Sequence, residues 1–366
     1  MKTDVLIIGQ GICGTFLSWY LEKAGLSFIV IDEVRPQTAS KAAAGLINPV
    51  TGRRLVTTWM IDELMPFARS AYGEIGAALG AEYMTEVSVV DFFPSAQMRL
   101  AFMDRLKEDP GYLQLPADEY FWNGSFRYEL GYGQISPCYL VDLPGLLGAM
   151  RRRLRERGLI WEEKFEREEL RTDEAGVHYR DISAGRAIFC DGIESFANPF
   201  FSRLPFAPNK GEALIVGIPG LAHGVYKKGM TLAPWGAGKD GQENGDGGAD
   251  PGKDLFWLGS SYEWSFVHDR PTEVFRQRAE ASLREWLKLP FQILDHIASV
   301  RPATLERRPF VGWHPSNPVI GILNGMGTKG CSLAPFFANQ LVENIRQGTA
   351  IRADADVKRF TKVLSR

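Results

Sequence analysis

Three glycines near the amino terminus have the spacing of a phosphate-binding turn. Gly9, Gly11 and Gly14 follow an apolar run, residues 5–8, and open a segment with helical periodicity. In such a strand, turn and helix, the glycines permit a sharp turn, close approach of a pyrophosphate and tight packing of helix on strand. Unpaired N–H groups at the helix start favour an anion. The spacing therefore predicts a dinucleotide site, the alternative being a turn that only packs tightly.

An acidic residue follows where a ribose ligand is expected. Asp32 ends a second apolar run, residues 28–31. It lies roughly 20 positions beyond the last glycine, where an acid of such a site hydrogen-bonds a ribose hydroxyl. This first motif alone would also suit an NAD-dependent dehydrogenase.

Two further segments are typical of walls around a bound dinucleotide. Arg186–Gly192 reads as an apolar strand that closes on a glycine. The predicted strand 319–323 enters a second glycine-rich junction, residues 324–335, and a predicted helix follows to about Arg346. The amino-terminal end of that helix favours an electron-rich group. An NAD-dependent dehydrogenase would not account for this second junction.

The composition limits the class of protein. The 366 residues are 45% hydrophobic, enough for two domains that share an interface. The formal net charge is −2 without long runs of one sign, so a general nucleic-acid or anionic-membrane surface is not indicated. No apolar run reaches the roughly 20 residues of a membrane-spanning helix. The first strand begins too early to follow a signal peptide, and the four scattered cysteines are typical of free thiols. We therefore expect a cytoplasmic protein.

Periodicity elsewhere predicts the elements that position these segments. Helices are expected from Trp59 to about Leu79, from Leu143 to Arg157 and from Thr272 to Leu287, the last with a threonine cap. Two groups of short β-like runs suit a mixed or antiparallel sheet over a site. They are residues 87–93, 120–122 and 126–128, and then 214–218, 229–233 and 255–261.

Two charged segments each allow two interpretations. Five arginines between residues 151 and 157 suit either RNA binding or a solvated helix face paired with glutamates between residues 156 and 163. The glycine-rich and acidic stretch 235–253 suggests either a calcium loop or a mobile hairpin tip. It lacks the ligand order and closing glutamate of an EF-hand. The solvated face and the hairpin tip are favoured.

Taken in order, these motifs resemble those of the D-amino-acid oxidase family of flavoproteins, which includes glycine oxidase, sarcosine oxidase and the flavin half of a bifunctional tRNA-modifying enzyme. The likeness covers nearly the whole chain, except that residues 82–136 carry little of it. The stretches Ala43–Pro49 and Gly330–Pro335 look most like the tRNA-enzyme branch. The segments that carry the likeness are Gly9 to Gly14 with Asp32, Ala42 to Gly45, Cys190 to Gly192, Val300 to Pro302 and Gly327 to Ser332.

The resemblance implies FAD as a non-covalent cofactor and suggests its ligands. The first three glycines would bind the pyrophosphate, and Asp32 the adenosine ribose. Ala43, Ala44 and Gly45 would lie along the isoalloxazine. The start of the last helix would direct N–H groups at the pyrimidine end, where a positive helix end eases reduction. Those N–H groups are implied to belong to Gly327, Gly330 and Ser332, and further implied cofactor contacts are Ile12, Leu46, Cys190, Gly192, Gly325 and Cys331.

The resemblance also implies two substrate residues. Arg301 matches the arginine that binds a substrate carboxylate, a role suited to a planar guanidinium fork. The alternative is a structural arginine that pairs with Glu306 or caps a carbonyl. Tyr262 would line the substrate cavity or else pack in the core. No histidine or lysine can be assigned to oxygen activation, although the possible candidates are Lys210, Lys228 and Lys329.

The implied fold class is α/β, with a Rossmann-like FAD-binding domain and an inserted mixed or antiparallel-sheet substrate domain (α+β). The expected FAD-binding domain comprises residues 1–80, 140–205 and 298–366, and the substrate domain residues 81–139 and 206–297. The implied activity is oxidation of the C–N bond of a small amine or amino acid by hydride transfer to flavin N5, with oxygen or another electron acceptor. An FAD-dependent enzyme acting on a modified tRNA base and a non-catalytic flavin-binding subunit stay open. No metal is expected.

Overall fold

The computed structural model describes residues 1–52, 54–236 and 254–365. The helices are α1 (Ile12–Lys23), α2 (Ala39–Ala42), α3 (Ile61–Leu79), α4 (Ala96–Glu108), α5 (Leu143–Glu156), α6 (Glu273–Trp286), α7 (Gly330–Gln347) and α8 (Thr361–Leu364). The strands are β1 (Lys2–Ile8), β2 (Phe28–Ile31), β3 (Leu46–Ile47), β4 (Val50–Thr51), β5 (Val56–Thr57), β6 (Met84–Phe92), β7 (Leu113–Gln114), β8 (Tyr132–Val141), β9 (Ile160–Trp161), β10 (Leu170–Asp173), β11 (Gly176–Tyr179), β12 (Ile182–Phe189), β13 (Asn209–Gly217), β14 (Val225–Lys228), β15 (Met230–Pro234), β16 (Leu255–Gly259), β17 (Gln292–Arg301), β18 (Phe310–His314) and β19 (Asn317–Asn324).

The first sheet contains the predicted dinucleotide motif. Eight of the described strands form it in the order β10-β11-β12-β1-β2-β9, with β19 paired to β12 and β18 paired to β19. Its centre is parallel, because β1 runs parallel to β2 and β12, and β12 runs parallel to β19. The carboxyl ends of these strands therefore meet at one edge, where open α/β sheets bind their ligands.

The central strands are continuously apolar because both faces of the sheet are covered. Val5 and Ile7 belong to a core cluster shared with α1, α3, α5 and α7. Leu6 and Ile8 belong to a second cluster on the opposite face, which includes Phe201. The alternation of side chains along β1 thus buries every residue from Val5 to Ile8.

The second sheet is mixed, as predicted. Nine of the described strands form it in the order β17-β13-β16-β15-β14-β6-β8-β3, with β7 joined to β8. Strands β14 and β6 run parallel, whereas β13 runs antiparallel to both β16 and β17. Helix α6 buries Phe275 and Leu283 against this sheet, in a cluster with Leu214. The hydroxyl of Thr272 caps α6 by accepting the N–H of Phe275, as predicted.

These two sheets confirm the predicted fold class. The division into discontinuous domains stays a prediction. Strands of the second sheet cross the division: β3 lies in the predicted FAD-binding segment 1–80 and pairs with β8, and β8 and β17 each span a predicted boundary. Strand β3 thereby ties the amino-terminal segment to the second sheet.

Part of the aromatic-rich middle segment differs from the prediction. Residues 121–124 form a 3-10 turn instead of a strand, and Phe126 makes an isolated bridge to Leu287. The ring of Phe126 stacks on Trp286 at 4.7 Å between centroids. Phe126 and Trp122 fill a core here, whereas Tyr120 and Phe121 are exposed, so the aromatic residues of this segment do not mark strands. Helix α4 was not predicted, because Phe102 is its only buried residue and its apolar periodicity is weak.

Three remaining predictions concern membrane-spanning helices, the cysteines and the glycine-rich loop. None of the helices in the described ranges has both the length and the apolar character needed to cross a bilayer. All four cysteines are free and buried. The predicted hairpin tip or calcium loop lies almost entirely in residues 237–253, outside the described residues.

Candidate active site

The glycine turn between β1 and α1 is shaped by close contact with the end of β12. Gly9 has a φ of 100°, and a Cβ there would lie 2.5 Å from the carbonyl oxygen of Cys190. A Cβ on Gly14 would lie 1.9 Å from the carbonyl oxygen of Gly9. Residues 9–13 line a large cavity. The first N–H groups of α1 have no partner within the helix, so this wall can bind an anion.

Asp32 lies at the same edge, immediately after β2, and is held by donors of this chain. Its Oδ1 accepts the N–H of Gln10 at 2.8 Å, and its Oδ2 accepts the guanidinium of Arg151 at 2.6 Å. Arg151 also donates to Glu162 at 2.7 Å. The predicted pairing with Glu162 is therefore confirmed for Arg151, but the predicted solvated position is wrong, because its side chain is 15% exposed and lines the cavity. Both predictions hold for Arg155, which is exposed and pairs with Glu162.

The segment between α2 and β3 forms another wall of the cavity. The indole N–H of Trp257, on β16, donates to the carbonyl of Ala42 at 3.0 Å and so ties the second sheet to this segment. Gly45 has a φ of 80°, and a Cβ there would lie 2.0 Å from the carbonyl oxygen of Val141. Glycine is therefore required where the segment crosses β8. The predicted cofactor residues of this wall that line the cavity are Ala43, Ala44, Gly45 and Leu46.

The end of β12 closes the cavity beside the glycine turn. Cys190 and Gly192 line it, and Gly192 has a φ of 58°. Burial raises the pKa of Asp191 to about 6, against the effect of a hydrogen bond from Ser195. Asn324, at the end of β19, donates to the carbonyl of Gly192 at 2.8 Å. The carboxyl ends of β12 and β19 are thereby joined.

The second glycine junction meets the first across the cavity. Helix α7 begins at Gly330, where a Cβ would lie 3.4 Å from Cγ2 of Ile12. Gly325 and Gly327 have φ angles of 77° and 57°. Gly327 and Gly330 line the cavity, whereas Gly325 and Ser332 are buried outside its lining. The starts of α1 and α7 therefore adjoin.

Cys331 lines the cavity but is poorly suited to covalent chemistry. Its side chain is 8% exposed, and burial raises its pKa to about 12. The hydroxyl of Tyr72 donates to its backbone carbonyl at 3.0 Å. Because the thiolate is the reactive form of cysteine, a thiol held protonated in this way is a weak nucleophile.

These walls enclose one continuous cavity of about 870 Å³. It runs from Asp32, beside the first sheet, to Trp257 and Arg301 on the second sheet. Gly14 supports the glycine turn from outside the lining. The other predicted site residues that the fold brings into the lining are Gly9, Gly11, Ile12, Ala43, Ala44, Gly45, Leu46, Cys190, Gly192, Gly327, Gly330 and Cys331.

Arg301, the last residue of β17, lies in the cavity wall formed by the second sheet. Its Nη1 donates to Oδ1 of Asn209 at 2.5 Å, and its Nη2 donates to Oγ of Ser260 at 2.7 Å. Both nitrogens also donate to the carbonyl of Ser261 at 3.4 Å. All three acceptors are electrically neutral.

No carboxylate of the described residues pairs with Arg301. The predicted alternative partner, Glu306, instead pairs with Arg359 at 3.1 Å. Burial lowers the pKa of Arg301 from its ordinary value, but an arginine side chain keeps its proton in proteins. The wall therefore carries a positive charge that no carboxylate of the described chain balances.

Tyr262 lies beside Arg301 and outside the cavity lining. Its ring centroid is 5.4 Å from the guanidinium carbon and 5.2 Å from the ring centroid of Trp264. The side chain of Tyr262 is 51% exposed. Tyr262 therefore neither lines the cavity nor packs in the core, which were the two positions predicted for it.

The three candidate lysines for oxygen activation lie outside the described cavity lining. Lys210 is buried and pairs with Glu212 at 3.0 Å. Lys228 donates to a backbone carbonyl at 3.2 Å. Lys329 donates to the hydroxyl of Thr58 at 3.0 Å.

Sequence reasoning missed two kinds of site residue. Arg151 follows Leu143 and Leu147 at four-residue spacing, which places all three on one face of α5, and all three line the cavity. That spacing was a usable signal. Asn209 and Ser260 left no comparable signal, because they reach Arg301 only through the folding of distant segments.

Comparison with known proteins agrees with this geometry. The family model described as DAO, FAD dependent oxidoreductase, matches residues 4–344. The chain belongs to this family of FAD-dependent oxidoreductases, and FAD is its cofactor. The glycine turn fits that group, since side chains at Gly9 and Gly14 would clash with the carbonyls of Cys190 and Gly9 and deform the turn that precedes the helix start, where a pyrophosphate binds.

Solved structures share the fold at low sequence identity. An iminodiacetate oxidase from Chelativorans sp. BNC1 has 20% identity and a TM-score of 0.73, covering 98% of each chain. Glycine oxidase from Geobacillus kaustophilus has 16% identity and a TM-score of 0.77, also covering 98% of each chain. L-proline dehydrogenase from P. horikoshii has 15% identity and a TM-score of 0.72, covering 99% of this chain and 98% of its own.

Proposed function

We propose that FAD lies along the cavity, held by the residues that the resemblance suggested. The start of α1, with Gly9, Gly11, Ile12 and Gly14, would hold the pyrophosphate. Asp32 would hold the adenosine ribose while Arg151 orients its carboxylate. The isoalloxazine would contact the walls made by residues 43–46, 190–192 and 325–332.

We further propose that the cofactor is bound without a covalent link. The support is the burial of Cys331 and the raised pKa of its thiol. Acid precipitation of the purified protein should release all flavin into the supernatant. Flavin that stays with the precipitate would contradict this proposal.

The substrate that this site suits is a small amine or amino acid with a carboxylate, oxidised at its C–N bond. The observation that carries this proposal is Arg301, a cation in the cavity wall with three neutral acceptors. A guanidinium fork donates two parallel hydrogen bonds to a carboxylate. An incoming carboxylate would balance the charge that the described chain leaves unbalanced.

When bound, FAD supplies the hydride acceptor, at its N5 atom. The contribution of the chain is to bind the carboxylate at Arg301 and to hold the reacting carbon in a fixed orientation inside the cavity. An amine that arrives neutral needs no protein base before the hydride leaves. The resulting imine hydrolyses in water.

An anaerobic absorbance titration tests the proposed activity. Glycine, sarcosine, D-amino acids, proline and simple secondary amines are added to the holoenzyme, followed by air. We expect one carboxylated class to bleach the flavin, and the return of colour with peroxide would identify oxygen as an acceptor. A flavin that none of these donors bleaches would contradict the proposal and favour the tRNA or non-catalytic alternative.

The role of Arg301 is tested with a neutral replacement. We expect Arg301→Gln to lower kcat/KM for a carboxylated substrate roughly 100-fold, because a charged hydrogen-bond donor is lost. Arg284→Gln is the matched control, since Arg284 is exposed on α6 and pairs with Glu280. Equal activity of the two variants would show that the carboxylate binds elsewhere.

The tRNA alternative gains no support from Arg151, Arg153 and Arg157. Arg151 pairs with Asp32 and Glu162, while Arg153 and Arg157 pair with Glu22. Cations engaged in this way are poorly available to phosphates. Binding of tRNA that is strong at low salt and lost at moderate salt would restore this alternative.

A further inference from the structure

Asn209 gives Arg301 a hydrogen-bond acceptor that carries no charge. It is the first residue of β13 and lies directly opposite Arg301 in the register of β17. Its side chain is 0% exposed, and its Oδ1 is 2.5 Å from Nη1 of Arg301. Its Nδ2 is buried without a hydrogen-bond partner among the described residues. An aspartate would fit the same space and accept the same hydrogen bond, but it would also neutralise the arginine.

Gly211 provides the space that the guanidinium occupies. It lies two residues beyond Asn209 on β13 and so faces the same side of the sheet. A Cβ on Gly211 would lie 1.9 Å from Nη2 and 2.3 Å from Cζ of Arg301. An alanine there would displace the end of the arginine side chain. Asn209 therefore holds the guanidinium by a hydrogen bond, and Gly211 leaves the room that the guanidinium occupies.

We propose that Asn209 is a positioning residue that holds Arg301 with a neutral acceptor, so that the full positive charge stays available to the substrate carboxylate. Gly211 keeps the slot open. This inference rests on the proposed function, because it assumes that the ligand of Arg301 is a carboxylate. A carboxylate at position 209 would form a charge-assisted hydrogen bond with Nη1 and compete with the substrate. The residue type at position 209 thus sets the preference for anionic over neutral ligands.

The test compares two ligands of nearly equal shape and different charge. Propionate and propionamide are titrated into the oxidised holoenzyme, and each Kd is read from the change in the visible flavin spectrum. The ratio of the two Kd values measures charge selectivity. We expect Asn209→Asp to weaken propionate binding roughly 10- to 100-fold and to leave propionamide binding nearly unchanged. Asn123→Asp, the same substitution at an exposed position, controls for the change in net charge.

The outcomes separate this inference from the proposed function. A wild-type selectivity ratio in Asn209→Asp, or equal weakening of both ligands, would overturn the inference. A wild-type ratio in Arg301→Gln would instead overturn the assignment of the carboxylate to Arg301. Should Asn209→Asp fail to fold or to bind FAD, Gly211→Ala decides the matter. We expect it to weaken propionate several-fold more than propionamide, and an unchanged ratio would overturn the inference.

Discussion

At the scale of single residues, burial acts differently on Arg301 and on Lys329. Arg301 stays charged although burial lowers its pKa, because the ordinary value is so high. Lys329, beside the start of α7, is affected more. Burial, and then the charge of Arg307, lower its pKa from 10.5 to about 8. A charged Lys329 therefore costs the fold stability near neutral pH.

The lowered pKa of Lys329 predicts a pH dependence of stability. Between about pH 8 and 10.5 the unfolded chain binds more protons at this lysine than the folded protein does, so the contribution of Lys329 to stability rises with pH. Lys329→Met should remove that rise. Urea unfolding at several pH values should show the free-energy difference between wild type and variant changing by about 1 to 3 kcal/mol across this range. The exposed Lys358 provides the control, Lys358→Met, and a constant difference for Lys329→Met would show that its pKa is not lowered.

At the scale of elements, the site depends on two helix starts that pack closely on neighbouring segments. Helix α1 starts where Gly14 packs on the carbonyl of Gly9, and α7 starts where Gly330 packs on Ile12. Both helix starts adjoin the cavity. A side chain at Gly14 would push the start of α1 and its N–H groups out of place, whereas a Cβ on Gly330 would make only an ordinary contact.

Gly14→Ala should weaken FAD binding. Its Cβ would lie 1.9 Å from a backbone oxygen that cannot move without shifting β1. We expect the Kd for FAD to rise roughly 10- to 100-fold, since overpacking of this kind costs a few kcal/mol. Gly73→Ala is the matched control, because Gly73 is also helical and a Cβ there meets nothing within 4 Å. Fluorescence titration of apoprotein measures both, and equal affinities would contradict the role of Gly14.

The cap of α6 gives a prediction of stability. The hydroxyl of Thr272 accepts the N–H of Phe275 at 3.3 Å and donates to Glu212 at 2.8 Å. Glu212 is 0% exposed, so Thr272→Ala loses a cap and leaves a buried carboxylate short of one donor. We expect a loss of about 2 to 4 kcal/mol in the free energy of unfolding. Thr272→Ser keeps the hydroxyl and should cost much less in urea unfolding, and equal losses would show that the hydroxyl is not responsible.

At the scale of the whole molecule, the cavity joins the two sheets. Its lining contains Asp32 at one end and Arg301 at the other, and Trp257 links the second sheet to the segment around Ala42. Folding must bring both sheets together before the complete cavity exists. FAD should therefore bind the folded chain far better than the unfolded chain.

FAD is accordingly expected to stabilise the apoprotein by mass action. At a free concentration 100 times the Kd, the gain in the free energy of unfolding should be about 2.7 kcal/mol. Urea unfolding with and without FAD measures it, and AMP at the same concentration is the control for nucleotide binding that does not span both sheets. A gain from AMP equal to that from FAD would show that the second sheet takes no part in cofactor binding.

The amino-acid sequence was enough to predict the dinucleotide motif, the long helices and the two glycine junctions. These features depend on interactions between near neighbours in the chain. The turn after β1 needs glycine at Gly9 and Gly14 for contacts that arise as soon as strand and helix pack, and Thr272 caps a helix three residues away. The resemblance to a flavoprotein family was correct because such local requirements fix residue types at fixed spacing.

The partners of the charged groups could not be predicted from the sequence, because they depend on how distant segments pack together. Arg151 meets Asp32 across 119 positions of sequence, and Arg301 meets Asn209 across 92 and Ser260 across 41. The same distant packing left Tyr262 half exposed beside Arg301. The strength of a charge depends on which groups fill the few ångströms around it. That neighbourhood is set by the packing of the sheets, which no periodicity or motif in the sequence specifies.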